Sequence, residues 1–405
     1  MRNIHFMQTY LRGSFFMDCG QGKLELKLSH LIGFLMKYRG NRLLKFFDRY
    51  LGVPLVAAVS ICGRRRQRAV RKVLVVDLSV IGDTVLQEPA FRALRKGFSK
   101  AEIDCICAPE NAFLIRRYQK VWGYFDRVRV VEARELVMPQ RFMHLVRWLR
   151  GSGYDVAIDF GQWTRVSALL AVVSGAPMRV GFRTAGQLRT SAFTHPVKHR
   201  RNRHQRDAFC DLVEALGVRV DRDLPRFPLV REDHEEAAHL LRKIGVYDDF
   251  VVLHPCAGRP TPKEWPLQRY AELSRRLCSL GKDVVVTGTN GDRKRIEEYD
   301  FGEARIIAGE TSVGGVAAVF AAARVVVCND CGAMHIACAA GTPVVALCGP
   351  ANPREWGPLH PEAVVIQSDA PCAPCLYLGF EFACRHPTCM ETIAVHTVLR
   401  ACLFS

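Results

Sequence analysis

The chain has 405 residues, 49% of them hydrophobic and 24% charged, with a mean hydropathy of +0.02. Those values exclude a disordered polymer or a bundle of membrane spans, and the length suits two domains of roughly 150–200 residues. The net charge of +17 is lopsided: residues 1–72 hold 15 Lys or Arg against 3 Asp or Glu, a net +12, and the other 333 residues carry only +5, which argues against a nucleic-acid groove along the whole body.

Residues 1–70 read as a basic amphipathic extension. Leu31, Phe34 and Leu35, then Leu43, Leu44, Phe46 and Phe47, recur at helical spacing before Arg64-Arg65-Arg66-Gln67-Arg68. Such a segment either lies on an anionic membrane face or packs on the protein's own surface above a solvated linker. Its uncharged run 52–62 is far shorter than the ~20 residues a spanning helix requires. No charged start, apolar stretch and small-residue cleavage site appear in sequence, so no secretory signal is expected. Most of the 16 cysteines sit singly in apolar runs, such as Cys328 after Val325-Val326-Val327, and read as small buried groups in a reducing compartment. The expected location is the cytoplasm, peripheral to the inner face of the membrane.

From residue 71 the pattern becomes α/β. A buried strand over 73–76, a loop over 78–83 and a helix to 96 are followed by strands at 101–108 and 154–159, an alternation that implies a parallel sheet covered on both faces. The first Rossmann-like domain is expected over 71–225. Its pattern breaks over 195–235, with a basic stretch, a helix over 207–216 and a passage containing Pro225 and Pro228. A second Rossmann-like domain is expected over 226–405, with strands near 251–254, 283–287, 324–328 and 343–347.

Three strand-to-helix stretches carry chemistry. In Leu78-Ser79-Val80-Ile81-Gly82-Asp83-Thr84, Gly82 permits a sharp turn and sets Asp83 at the mouth of the sheet, where it is either a helix cap or a general base facing the interdomain cleft. In the stretch from His254-Pro255-Cys256-Ala257-Gly258 to Lys263-Glu264-Trp265-Pro266, a lysine near a helix start can hold a diphosphate. In Cys328-Asn329-Asp330-Cys331-Gly332-Ala333-Met334-His335, Gly332 lets the backbone approach an anion at a helix N-terminus. His335 sits one turn on, as a cavity group or a satisfied core histidine.

In this order and spacing the three stretches resemble glycosyltransferase family 9, the heptosyltransferase family. Its pattern has an early Gly-Asp loop, a Lys-x-Trp-Pro loop midway and a later Asp-Ser/Thr-Gly-x-x-His turn, and the resemblance covers residues 72 to about 400. It implies a GT-B fold of two Rossmann-like domains facing a cleft, preceded here by the basic extension. The acceptor would be held by the first domain and an ADP-linked heptose by the second, and transfer would invert the anomeric centre. Asp83 would deprotonate the acceptor hydroxyl, and Lys263 with the turn Asp330, Cys331, Gly332, Ala333 and His335 would hold the donor and steady its departing diphosphate. Asp330 would orient the sugar or the turn. The implied partners are a nucleotide sugar, a phosphorylated glycolipid and an anionic membrane, with no nucleic acid, no cofactor and no catalytic metal.

The sequence departs from that pattern at Cys331, where Ser or Thr is usual, at Cys256, where Gly is common, and at Glu264, where a basic residue or His is more usual. Alternatives are the same fold using another nucleotide sugar for a surface glycan, or a non-catalytic basic protein binding membrane or nucleic acid. Asp292, in Thr287-Gly288-Thr289-Asn290-Gly291-Asp292, is either a ribose contact or a plain turn residue. Asp221-Arg222-Asp223 has the spacing of a metal-dependent sugar-nucleotide motif, but it lies before Pro225, away from any expected strand end, and reads as a solvated loop. Cys372, Cys375, Cys384 and Cys389 open like a zinc knuckle, and structural zinc stands there against free thiols or a disulfide.

Overall fold

A computed structural model describes residues 48, 52, 69–257, 261–376, 384 and 388–404. The expected extension therefore lies outside the described residues except at Asp48, Gly52, Ala69 and Val70, as does Gly258.

Two six-stranded sheets are built one after the other. The first holds β1 (Lys72–Asp77), β2 (Glu102–Cys107), β3 (Arg127–Val130), β4 (Val156–Asp159), β5 (Met178–Arg183) and β6 (His195–Lys198), in the spatial order β3-β2-β1-β4-β5-β6. The second holds β7 (Val251–His254), β8 (Val284–Val286), β9 (Arg305–Ile306), β10 (Val325–Asn329), β11 (Val344–Cys348) and β12 (Val364–Gln367), in the order β12-β11-β10-β7-β8-β9. Every pairing is parallel. Each sheet has the doubly wound order 3-2-1-4-5-6, in which the winding reverses beside the first strand and opens a crevice at the strand C-termini. The central strands are continuous apolar runs because helices cover both faces: Val73, Leu74, Val75 and Val76 have no exposed surface, nor have Val325, Val326 and Val327.

The helices are α1 (Ile81–Gly97), α2 (Ala112–Trp122), α3 (Ala133–Val137), α4 (Pro139–Ser152), α5 (Arg165–Val173), α6 (Gln205–Glu214), α7 (Arg231–Lys243), α8 (Leu267–Ser279), α9 (Asn290–Glu297), α10 (Val313–Ala322), α11 (Gly332–Ala339) and α12 (Pro353–Trp356), with short helices near the C-terminus. No described helix is long and apolar enough to cross a membrane.

The halves are tied at two places. Along the connecting segment, Phe227 N donates to Ala339 O at 2.9 Å, and Arg117 on α2 grips Asp233 on α7 through two bonds of 2.6 and 3.1 Å. At the second, Asn202 N donates to Glu355 Oε1 at 2.9 Å and His204 Nε2 donates to Gly357 O at 3.0 Å. His204 Nδ1 accepts from Arg206 N, so its proton sits on Nε2, and burial keeps the ring neutral by lowering its pKa. The extension reaches the body through Asp48, whose carboxylate accepts Arg165 N and Val166 N at the start of α5 and pairs with Arg165 Nη1 at 3.0 Å.

Candidate active site

The loop after β1 is organised from below by a residue that sequence reading passed over. Asp77, the last residue of β1, is fully buried, and its carboxylate gathers Ser79 N and Oγ and Gln87 Nε2 on one oxygen and Thr84 Oγ1 and Asn111 Nδ2 on the other. Burial drives its pKa up to about 6 against the opposing hydrogen bonds. Ser79 precedes and Thr84 follows the Gly82-Asp83 pair, so the loop is pinned on both sides of Asp83.

The expected loop over 78–83 is shorter than that: α1 begins at Ile81, so Gly82 and Asp83 belong to its first turn and Asp83 is 9% exposed. Gly82 is no left-handed turn residue either. Its lack of a side chain is required by close approach, since a Cβ there would stand 3.0 Å from Gly332 Cα and 3.2 Å from His335 Cδ2. A Cβ on Gly332 would meet Ile81 Cγ2 at 3.2 Å. The Gly-Asp turn of the first half and the glycine turn of the second are thus in van der Waals contact.

The second half contributes from both sides of its own switch point. Lys263 lies in the segment after β7 and Asp330 in the turn after β10, and β7 and β10 are paired neighbours. Lys263 Nζ reaches Asp330 Oδ2 at 2.6 Å, with the lysine side chain 28% and the aspartate 7% exposed. The cation is therefore already drawn to the head of α11, whose first-turn amides at Gly332, Ala333 and Met334 suit an anion.

Beneath that pair Asn329 plays the part that Asp77 plays in the first half. Its Oδ1 accepts Trp265 N at 2.9 Å and Tyr270 OH at 3.2 Å, while Nδ2 donates to Pro255 O at 2.8 Å. Trp265 is fully buried and donates Nε1 to Ile393 O, which fixes the Lys-Glu-Trp-Pro segment as a rigid unit. Glu264 braces it by accepting Ala257 N at 2.8 Å and pairing with Arg295 at 2.6 Å.

Cys331 holds the N-cap position of α11. The neighbouring Cys328 thiol, then the amides of Met334 and Ala333, draw its thiol below the ordinary cysteine value, while the Cys328 thiol is pushed up. His335 is 5% exposed and faces the first half across the Gly82 contact.

Asp292 is brought into a different role: it is 1% exposed and closes a capping box on α9, accepting Thr289 N at 2.9 Å and Thr289 Oγ1 at 2.6 Å. Asp221-Arg222-Asp223 lies outside helix and strand, with Arg222 bound to Asp211 and Glu214. Among the cysteines of the tail, Cys372 and Cys384 are exposed, Cys375 is half-buried and Cys389 is buried. Among the described residues no three His, Cys, Asp or Glu are gathered as metal ligands.

Comparisons with known proteins bear on the family and the fold. The family profile of glycosyltransferase family 9 (heptosyltransferase) matches residues 142–384. Lipopolysaccharide heptosyltransferase 2 of Escherichia coli (strain K12) is 28% identical over 316 residues, covering 73% of this chain and 88% of that protein. In fold the chain is similar to the family 9 glycosyl transferase of Veillonella parvula DSM 2008, with a TM-score of 0.66 and 20% identity over 85% of this chain and 100% of that one. It is also similar to E. coli ADP-heptose lipopolysaccharide heptosyltransferase II, with a TM-score of 0.61 and 22% identity over 82% of this chain and 97% of that one. With more than half of its length inside the profile, the chain belongs to glycosyltransferase family 9, the heptosyltransferases, and is a glycosyltransferase of GT-B fold.

Proposed function

We propose that this enzyme moves a heptose from ADP-heptose to a phosphorylated, lipid-linked acceptor of the lipopolysaccharide-core type, with inversion, at the inner face of the cytoplasmic membrane. The donor and acceptor classes follow the relatives, which are named as lipopolysaccharide heptosyltransferases. The observation that carries the mechanism is the contact of Gly82 with Gly332 and His335. It brings the residue before Asp83 against the first turn of α11, which supports reading Asp83 as the base and the Lys263 side as the anion holder.

In the reaction the acceptor hydroxyl oxygen attacks the anomeric carbon as Asp83 takes its proton. The bond from that carbon to the diphosphate oxygen breaks in the same displacement, and ADP leaves with the electron pair. Lys263 and the amides of Gly332, Ala333 and Met334 face the charge that grows on the departing oxygen, where fixed dipoles contribute most. Asp330 holds Lys263 at the head of the helix until the diphosphate competes for it. Cys331 offers a softer, weaker contact than a hydroxyl at the same N-cap, and His335 closes the cavity wall.

ADP release from ADP-heptose and a purified acceptor tests this reading. Asp83→Asn is expected to lower turnover at least ~100-fold while leaving donor affinity nearly unchanged. An undiminished rate would make Asp83 a helix-capping residue, and release from another nucleotide sugar but none from ADP-heptose would overturn the donor.

A further inference from the structure

The helix pair α3 and α4 carries a surface that the transfer chemistry does not use. Val137, Met138 and Met143 are 63%, 46% and 47% exposed, and Val137, Met138 and Pro139 follow one another at the junction. Other large exposed apolar side chains, such as Leu188, Tyr247 and Leu280, stand singly along the chain. The contrast matters because isolated exposed apolar groups are ordinary and clustered ones mark a docking surface.

The charge on α4 itself has one sign, and the nearest acids, Glu132 and Glu135, are already paired with Arg134 and Arg129. Residues 136–154 contain no Asp or Glu. On α4 the exposed stripe runs Gln140, Met143, His144, Arg147 and Arg150, with Arg141 beside it, while Leu145, Val146 and Leu149 face the core. Arg141, Arg147 and Arg150 have no acidic partner among the described residues, whereas Arg92, Arg95, Arg117, Arg127 and Arg129 of the same half each pair with a carboxylate. A groove of about 340 Å³ opens there, lined by Arg134, Glu135, Gln140, Arg141 and His144, so its wall is basic on balance. Unpaired arginines around exposed Val and Met are the composition that a water–lipid boundary with anionic headgroups stabilises, the apolar groups below and the guanidinium groups at phosphate level.

The position of the surface connects it to the site. Register places Asp77 of β1 opposite Cys107 of β2, and Cys107 opposite Val130 of β3, so these strand ends share one edge of the sheet. The helix α3 begins three residues after Val130, at the edge from which the Asp83 turn also springs. We infer that the α3–α4 junction docks on the anionic lipid surface that carries the acceptor, with Val137, Met138 and Met143 entering the apolar boundary and Arg141 and Arg147 on the headgroup phosphates. The inference rests on the acceptor's being lipid-linked. It assigns membrane contact to the folded first domain, in addition to anything residues 1–70 contribute.

Hydrogen exchange of the full chain reads the two regions separately. With vesicles of phosphatidylglycerol and phosphatidylethanolamine, peptides spanning 136–147 are expected to exchange at least roughly fivefold more slowly than with phosphatidylcholine alone. The combined Val137→Ser, Met138→Ser and Met143→Ser variant is expected to lose that protection, and Arg141→Glu with Arg147→Glu to weaken partition onto the anionic vesicles roughly tenfold or more. Both variants should keep ADP release with a detergent-dispersed acceptor, which separates failure of docking from failure of the transfer reading. Unchanged exchange over 136–147 while the vesicles bind the protein would overturn the inference in favour of the extension. Protection that grows with protein concentration without lipid would overturn it in favour of a second copy.

Discussion

The two turns that meet in the cleft grow from opposite sides of the switch point in two sheets of the same winding, one after the first strand and one after the fourth, and one is rooted on a carboxylate and the other on an amide. Asp77 only accepts, collecting the backbone and hydroxyl of Ser79, the hydroxyl of Thr84 and the amides of Gln87 and Asn111. Asn329 both accepts and donates, joining Trp265 and Tyr270 to the Pro255 carbonyl. A buried hub at a strand end is needed in both cases, because the chain reverses there and leaves polar groups that no ladder pairs. The difference fits the proposed tasks. A second buried anion beneath Asp330 would repel a departing diphosphate, whereas beneath the proposed base no anion has to be bound.

Exchanging the roots should therefore be asymmetric. Asn329→Asp is expected to cost about 3–5 kcal/mol of stability, since it buries an unpaired charge and turns a carboxylate oxygen towards the Pro255 carbonyl. Urea unfolding followed by Trp fluorescence measures it, and a loss below about 1 kcal/mol would mean that the amide proton is dispensable. The glycine contact should break the comparison in the other direction, through rate. Gly82→Ala sets a methyl 3.0 Å from a backbone atom, while Gly332→Ala sets one 3.2 Å from Ile81 Cγ2 and no nearer than 3.6 Å to backbone. Turnover of Gly82→Ala is expected to fall roughly tenfold or more, because relieving a 3.0 Å contact with backbone moves the two turns apart by a few tenths of an ångström, and that of Gly332→Ala by less, with melting temperatures barely moved. Equal losses would argue that the two turns separate during the reaction.

How far the sequence discloses this depends on whether a feature is local. The central strands were readable because runs such as Val73-Leu74-Val75-Val76 need helices on both faces, and the three strand-to-helix stretches because their glycines, lysine and acids lie within a few residues of one another. The edge strands β3 and β6, with the sequences Arg-Val-Arg-Val and His-Pro-Val-Lys, have no such signal, since only pairing with a formed sheet makes them strands. Gly82 reads as a turn glycine when its reason is a residue 250 positions away. Asp77 was passed over because nothing local shows that its side chain turns inward: Ser79, Thr84 and Gln87 are near in sequence, but the burial that makes it a hub comes from the formed sheet and from Asn111, 34 residues on. Asp292 is the converse case: Thr-x-x-Asp is a local capping signature, and it describes the side chain's bonds well.

The smallest of the expected effects tests whether the acidic root matters at all, through pH. The pKa of Asp77 rises on folding from 3.8 to about 6, so between those values the folded chain holds a proton that the unfolded chain has released. Stability from this group is thus fully present below about pH 4 and is lost as pH climbs towards and past 6, by at most about 3 kcal/mol. Asp77→Asn removes that slope. Denaturant midpoints of the two proteins, measured from pH 4.5 to 7.5, should converge as pH rises, the parent being relatively more stable at the acid end. Asp159, which burial also pushes up to about 6 although Arg189 opposes it, titrates in both proteins and cancels from the difference. Parallel curves would mean that the Asp77 carboxylate carries the same charge folded and unfolded across that range. Ser79, Thr84, Gln87 and Asn111 would then stabilise an anion well enough to offset its burial, and the acidic root would differ from the amide root in charge without differing in pH response.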